Sequence, residues 1–413
     1  MNFILGFGLS SLGFLNGYNK TDIKILEKNN YNGGHVYSHK FRDFYFDEGV
    51  HVLHSKNKKF LKFILKNSKY INKSSNPINY YNGNWFKYPV QNNLSMVDNG
   101  LKYLISFLVR SKNFKPKNFL EWCLSVYGEE ITNKFYKRYT QKYWNKNLAE
   151  LDTSWLPGRV FSTNDEQVIK NCFFNNKDSV STFDKFKYPK TNGYFGFFKN
   201  HFDKYKKITT NNVRIESINL KEKIISYNKK KEKFDKIFST IPLPELKKYI
   251  SFPKQIKTCI DKLEFTSLYT VNIIIKKKFY NFRQDWNYVY DNKTRISRMS
   301  ILNNIQGSKS KYLAVQIEIF TLGNSTAKVN VKKEIAYLSK ILKINKKDII
   351  DHSVRFIKYS YVISKNNNLS NVIKIKNFLN KFNFYPFGLY GDWIYYWSDQ
   401  AFIKGFDFGK KFK

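Results

Sequence analysis

Gly6, Gly8 and Ser11 occupy the three small-residue places of a Gly-x-Gly-x-x-Gly phosphate-binding turn, with serine in the third. The first place needs a residue that tolerates a tight bend, the second lets backbone approach a pyrophosphate, and the third keeps helix and strand close. Ser11 is small enough for the third at some packing cost, and Leu12 continues the same helix start. The helix N-terminus would add N–H donors and a positive dipole. Glu27 lies 21 residues after Gly6, near the spacing of about 20 that sets a carboxylate on a ribose hydroxyl. Lys28 follows it, and Gly33-Gly34 add a second glycine turn. This is dinucleotide-binding chemistry.

The flanking residues supply the elements such a turn requires. Asn2–Leu5 is a short apolar run suited to a buried parallel strand, Leu9–Leu15 suits a short helix, and "DIKILEK" from Asp22 predicts a second strand ending at Glu27. A β-α-β unit with an acid at its end results.

With "NNYNGGHVYS" and "FYFDEGVHVLHS" following, the order of features resembles the flavin-binding amine oxidase superfamily, which implies FAD as cofactor. The far end agrees: "YGDWIYYWSDQAFIKGFDFGKKF" is similar to that superfamily's last motif, a glycine turn (Gly391, Asp392) and a helix beneath the flavin ring. Ser398 or Asp399 is expected to cap this helix, with Gln400 and Ala401 in its first turn facing the pyrimidine edge. In "TTNNVRIESINL" a strand is expected to carry Val213, where relatives meet the adenine. The resemblance implies an α/β fold with a discontinuous Rossmann-like FAD-binding domain and an inserted helical and mixed-sheet substrate domain. Its expected pieces are 1–65, 185–248 and 360–413; 66–184 is expected to be mainly helical, and 249–359 to hold sheet strands ("SLYTVNIIIKKKF", "KYLAVQIEIF") and a helix ("KKEIAYLSKILK").

Within the superfamily, "YYNGNWFKYPVQNNLSM", "YKRYTQKYWNKNLAELDTSWLPGRV" and "DNKTRISRM" look like segments of UDP-galactopyranose mutase and its relatives. The resemblance implies that Arg159 and Arg295 grip a substrate diphosphate, that Trp144 offers a flat partner to a base, that Tyr395 and Tyr396 bond phosphate oxygens, and that His51 lies near the flavin as a catalytic candidate. In the mutases the reduced flavin attacks the anomeric carbon through N5, so the substrate expected is an anionic nucleotide sugar and the setting surface-polysaccharide synthesis. The pattern departs in places: Asn145 replaces a glycine, Asp392 a glutamate, and Gly388-Leu389 the usual Gly-Arg. Two alternatives stay open: an amine-oxidase or protoporphyrinogen-oxidase-like enzyme passing hydride to flavin, and a noncatalytic degenerate nucleotide-binding protein.

Composition narrows the partners. The chain's 42% hydrophobic and 18% aromatic content over 413 residues can bury a sizeable core. The net charge of +40 suggests nucleic acid, but only nine of the 72 basic residues are arginine, and lysine spread along the whole chain argues against a base or phosphate reader. Three scattered cysteines, Cys123, Cys172 and Cys259, give neither zinc spacing nor a disulfide framework, and no Ser-His-Asp or metal-ligand spacing competes. No stretch reaches about 18 uncharged apolar residues, so a cytoplasmic protein is expected, with room for peripheral contact with the inner membrane. Oligomeric state is left open.

Overall fold

A computed structural model describes residues 1–413 apart from 21, 113–114, 161–163, 175–184, 277–281, 324, 326–327 and 366–367. The opening strand, Asn2–Leu5, is buried at every position and pairs in parallel with Ile23–Leu26 on one side and Lys236–Ser239 on the other. Thr209–Thr210 and Phe384–Pro386 complete a five-stranded parallel sheet. Its strands come from three separate stretches of chain, so residues near 5, 26, 210, 239 and 386 all reach the same carboxyl edge, where ligands of such sheets bind.

The opening helix, Leu9–Tyr18, and the closing helix, Ser398–Lys410, pack against each other. The reason is in their glycines. A Cβ on Gly13 would run into the backbone of Phe402, and one on Gly17 into that of Phe406; one on Gly405 would meet Ser10, and one on Gly409 would meet Phe14. The pairs advance together along both helices, so the helices are parallel, in backbone contact, with both N-termini at the same end. Small residues four apart on each helix permit this approach.

A second sheet has seven strands in the order Ile349–Val362, Phe265–Lys276, Tyr312–Leu322, Arg298–Ile301, Trp286–Val289, Ile78–Tyr81 and Asn84–Lys87. All neighbours are antiparallel except Trp286–Val289 with Ile78–Tyr81. Its Ile349–Val362 strand runs unbroken across residues 359 and 360. The expected strand in "SLYTVNIIIKKKF" is present as Phe265–Lys276, and its last three residues lie outside the described ones. The helix in "KKEIAYLSKILK" is Val331–Leu342. Helices between 100 and 173 pack around Phe107, Tyr127, Phe135 and Trp144. Val213 is not in a strand, as the sequence suggested, but between Thr209–Thr210 and Ile215–Asn219. There its N–H donates to the Glu27 carbonyl at 2.9 Å.

Candidate functional site

A cavity of about 980 Å³ runs from the carboxyl edge of the parallel sheet to the seven-stranded sheet and the helical region. Its floor begins at Gly6, which has φ +86 and whose missing Cβ leaves room for Thr240 Oγ1, 2.6 Å from where the Cβ would lie. Gly8 starts the opening helix with no side-chain cap, and Leu9 and Ser10 line the cavity. The first intrahelical bond comes only from the Leu12 N–H to the Gly8 carbonyl, at 3.0 Å. The helix start thus offers uncapped N–H donors to whatever occupies the cavity. The closing helix brings Ser398, Asp399 and Ala401 to the same cavity, so two helix dipoles present their positive ends to one space.

Glu27 sits at the end of its strand, 4% exposed. Oε2 accepts the Phe7 N–H at 2.8 Å and Oε1 the Asn29 N–H at 2.9 Å. Burial pushes its carboxyl upward against the lowering effect of those two N–H groups. A carboxylate has about four acceptor positions, so Glu27 fixes the glycine turn and keeps acceptor capacity for a ligand hydroxyl. Gly33 donates its N–H to the Phe7 carbonyl at 2.8 Å. With Gly34, Lys28 and Val213 it lines the cavity.

Several residues picked from the sequence lie elsewhere. Ser11 and Leu12 are fully buried beneath the turn rather than in the cavity; Ser11 Oγ donates to the Gly6 carbonyl at 2.6 Å, and it is Ser10 that faces inward. Gly391 packs on Pro386, and Asp392 pairs with Lys376 at 2.6 Å, both away from the cavity lining. Neither Ser398 nor Asp399 caps the closing helix. Trp397 holds the N-cap position and its N–H donates to Gln400 Oε1 at 2.9 Å, while Asp399 accepts the Ser55 hydroxyl at 2.5 Å. Gln400 is exposed, outside the lining, and reaches Arg159.

Arg295 is the largest displacement. Its N–H donates to the buried Glu334, and it is absent from the cavity wall. The arginine of this segment that does line the cavity is Arg298, three residues on, where the strand has begun. Directly opposite it in register stands Glu318, and Nε and Nη2 of Arg298 donate to the two Glu318 oxygens at 2.9 and 2.7 Å. The Glu318 side chain is wholly buried and that of Arg298 is 13% exposed. Burial opposes the Arg298 charge, but Glu318 outweighs it and raises the guanidinium pKa well above its usual value. The signal was present in the sequence as lone charges inside two apolar strand runs, "ISRMSI" and "AVQIEIF".

Arg159 differs. Its Nη2 donates to the Tyr395 carbonyl at 2.6 Å and to Gln400 Oε1 at 3.2 Å, its Nη1 to the Trp155 carbonyl at 3.3 Å, and its buried Nε has no partner among the described residues. The guanidinium lies 4.3 Å from the Tyr395 ring centre and 5.1 Å from that of Trp397. Burial lowers its pKa, partly opposed by Tyr395. It is held by neutral oxygens and aromatic faces, and its charge is left for an anion. Arg214 and Arg355, which sequence reasoning passed over, also line the cavity, and Arg355 Nε is likewise buried without a partner.

The remaining wall is aromatic. Trp144, 3% exposed, stands between Trp155 and Tyr395 with ring centres 5.1 and 6.0 Å away, and Tyr395 meets Tyr361 at 4.7 Å. Tyr396 lines the cavity and donates to Asp392 Oδ2 at 3.3 Å. His35, beside the glycine pair, was also missed: its ring bonds Glu48 Oε2 and Tyr390 Oη, each at 2.6 Å.

His51 lines the cavity with Nδ1 3.2 Å from the Gly49 carbonyl. That carbonyl can only accept, so Nδ1 carries the proton and Nε2 is left as acceptor. Burial pushes the imidazole down from the ordinary 6.5 to about 4. An unfolded chain would take up this proton between about pH 6.5 and about 4 while the folded one resists, so stability falls as pH falls through that window. Asp47, pushed up to about 6 by burial, acts in the opposite sense, and comparison with a variant isolates the histidine. Urea unfolding should show His51→Asn losing less stability than the parent across the window; equal losses would remove the assignment.

Residues 4–65 match the family of NAD(P)-binding Rossmann-like domains. The whole chain is similar to the crystal structure of a reduced UDP-galactopyranose mutase, with TM-score 0.86 and 20% identity over 99% of this chain and 92% of that one. It is similar to a putative protoporphyrinogen oxidase from Exiguobacterium sp. 255-15, with TM-score 0.77 and 12% identity over 99% and 98%. It is also similar to a CLA-producing fatty acid isomerase from P. acnes, with TM-score 0.69 and 14% identity over 100% and 98%. These likenesses are of fold: residues 4–65 match a Rossmann-like domain, and the whole chain shares the mixed α/β architecture of these three structures.

Proposed function

We propose that this chain is a flavoenzyme that holds FAD along the glycine turn and brings an anionic nucleotide sugar to the aromatic end of the same cavity. The observation that carries the reading is the meeting in one cavity of two helix N-termini, the buried Glu27 and an arginine, Arg159, with no carboxylate partner among the described residues. The donor set fits such a dinucleotide. Leu9 and Ser10 present N–H groups suited to a pyrophosphate, Glu27 an acceptor for ribose, Val213 a buried surface for adenine, and the closing helix a positive end for an electron-rich ring edge. Bound there, flavin supplies a hydride acceptor when oxidised and a nucleophilic nitrogen when reduced.

Arg159 is the residue for the substrate diphosphate, because its charge is unpaired and its plane is already fixed by Tyr395 and Trp397. Arg298 is not a second phosphate grip, since Glu318 already takes two of its donors; its Nη1, with no hydrogen bond among the described residues, is left to orient a neutral hydroxyl. Trp144 and the surrounding tyrosines exclude water and offer faces to a base or sugar. His51, neutral at physiological pH, can accept a proton at Nε2 without competing for the anion. The similarity to the mutase structure supports the isomerase form of this reading.

The neutralised Arg298 and the aromatic wall favour one rival, an oxidoreductase taking hydride from an apolar substrate. Binding separates the two. Arg159→Ala should raise the dissociation constant for a UDP-sugar by about tenfold to a hundredfold, the loss of a charge-assisted bond, while Arg295→Ala, outside the cavity, should leave it unchanged. Calorimetry that finds no UDP-sugar binding to flavin-loaded parent, or no effect of Arg159→Ala, would sink the nucleotide-sugar reading.

A further inference from the structure

We propose that Arg355 grips a phosphate group at a site in the cavity separate from that of Arg159. Arg355, Thr270, Glu318 and Arg298 stand side by side in register across four strands of the seven-stranded sheet. Cross-strand partners point to one face, and both arginines line the cavity. The charges of this row divide unequally. Glu318 accepts two donors of Arg298 and the Val50 N–H at 2.9 Å, whereas Arg355 makes no hydrogen bond or ion pair among the described residues. Its Nε is buried and unmet, and so is the hydroxyl of neighbouring Thr270, 1% exposed. The guanidinium has therefore not settled on the neutral acceptor beside it, and a buried donor left this way is costly until a ligand meets it.

The carboxylates on this side of the cavity are engaged elsewhere. Glu48 lies 2.6 Å from His35 and 3.5 Å from His39. Glu245 meets Lys248, Lys358 and Tyr359, Asp351 holds Arg42, and Glu27 accepts two backbone N–H groups. Burial and the Glu48 charge push the Tyr31 phenol up to about 12 against the pull of Arg355, so Arg355 faces the same stretch of cavity as Tyr31, whose ring stacks on Tyr37 at 3.9 Å. Lys28 and Arg214 also line the cavity, neither paired with a carboxylate among the described residues. Arg159 belongs to another place. Tyr361, which meets the Tyr395 ring that Arg159 overlies, is six residues along the strand from Arg355, about 20 Å at the rise of extended chain. Three cations without carboxylates suit a group that carries up to two negative charges, and a free guanidinium fork matches two phosphate oxygens. The phosphate comes either from the dinucleotide proposed above or from a separate molecule beside it, and only the first source rests on that reading.

The test follows the Arg355 Nε–H resonance of the nitrogen-15-labelled full chain, assigned with Arg355→Gln, as FAD or inorganic phosphate is added to the flavin-free chain and as phosphate is added to chain already holding FAD. A shift with FAD assigns the site to the phosphates of the dinucleotide; a shift with phosphate that persists in the presence of FAD assigns it to a separate molecule. Calorimetry should then find binding of that ligand weakened roughly tenfold in Arg355→Gln and unchanged in Arg295→Gln, which removes the same charge outside the cavity. Arg355 makes no bond within the described fold, and an unchanged circular dichroism spectrum verifies folding. A chain that takes up no FAD contradicts the flavin reading alone, and the phosphate titration still decides this site. The proposal is overturned if neither ligand moves the resonance, or if both variants weaken binding alike, which would mark attraction of an anion to the overall charge of the chain.

Discussion

Gly405→Val is expected to destabilise the protein by about 3 kcal/mol or more, an overpacking cost at the upper end of its range. The added side chain would have to occupy the space of the Ser10 backbone, and backbone, unlike a flexible side chain, cannot swing aside. The opening and closing helices would have to separate, and because they are parallel, both N-termini would leave the cavity together. Two readouts should therefore move at once: the midpoint of urea unfolding and the retention of a dinucleotide cofactor. Lys404→Ala, on the neighbouring exposed position, is expected to stay within about 0.5 kcal/mol of the parent. A Gly405→Val protein as stable as the parent would show that the helices do not touch as described.

Glu27→Ala carries the second large effect. It strips the acceptor from two backbone N–H groups, those of Phe7 and Asn29, each costing about 1–3 kcal/mol if left buried and unmet. It also removes the acceptor proposed for the ribose. Flavin dissociation should rise by about tenfold to a hundredfold, read by fluorescence titration. Glu27→Gln, which keeps an acceptor oxygen, should recover part of the affinity. If both variants hold flavin as tightly as the parent, Glu27 serves the turn alone.

The glycine-turn end of the cavity was legible because its signals are local. Gly6, Gly8, Glu27 and Gly33-Gly34 lie within 29 residues of one another, and each answers to a backbone requirement that sequence spacing expresses directly. Ser11 illustrates the limit. Its local close packing is as the motif assigns, with Oγ donating to the Gly6 carbonyl at 2.6 Å, but the closing helix is met further along, by Gly13 and Gly17 on the backbones of Phe402 and Phe406, and no local rule connects residues nearly 400 apart. The aromatic end of the cavity was harder for the same reason. Arg295 and Arg298 are three residues apart in one segment, and only the strand register that sets Arg298 opposite Glu318 distinguishes them. Arg159 was found because arginine is scarce, while its freedom from any carboxylate is a property of the folded chain.

The most direct test of the central claim is the visible absorption spectrum of the purified protein, before and after incubation with FAD and removal of free cofactor. A flavin spectrum retained at one equivalent per chain, and lost in Glu27→Ala, is the expected result. A parent that retains no flavin after reconstitution would contradict the account and leave a nucleotide-fold protein without the proposed cofactor.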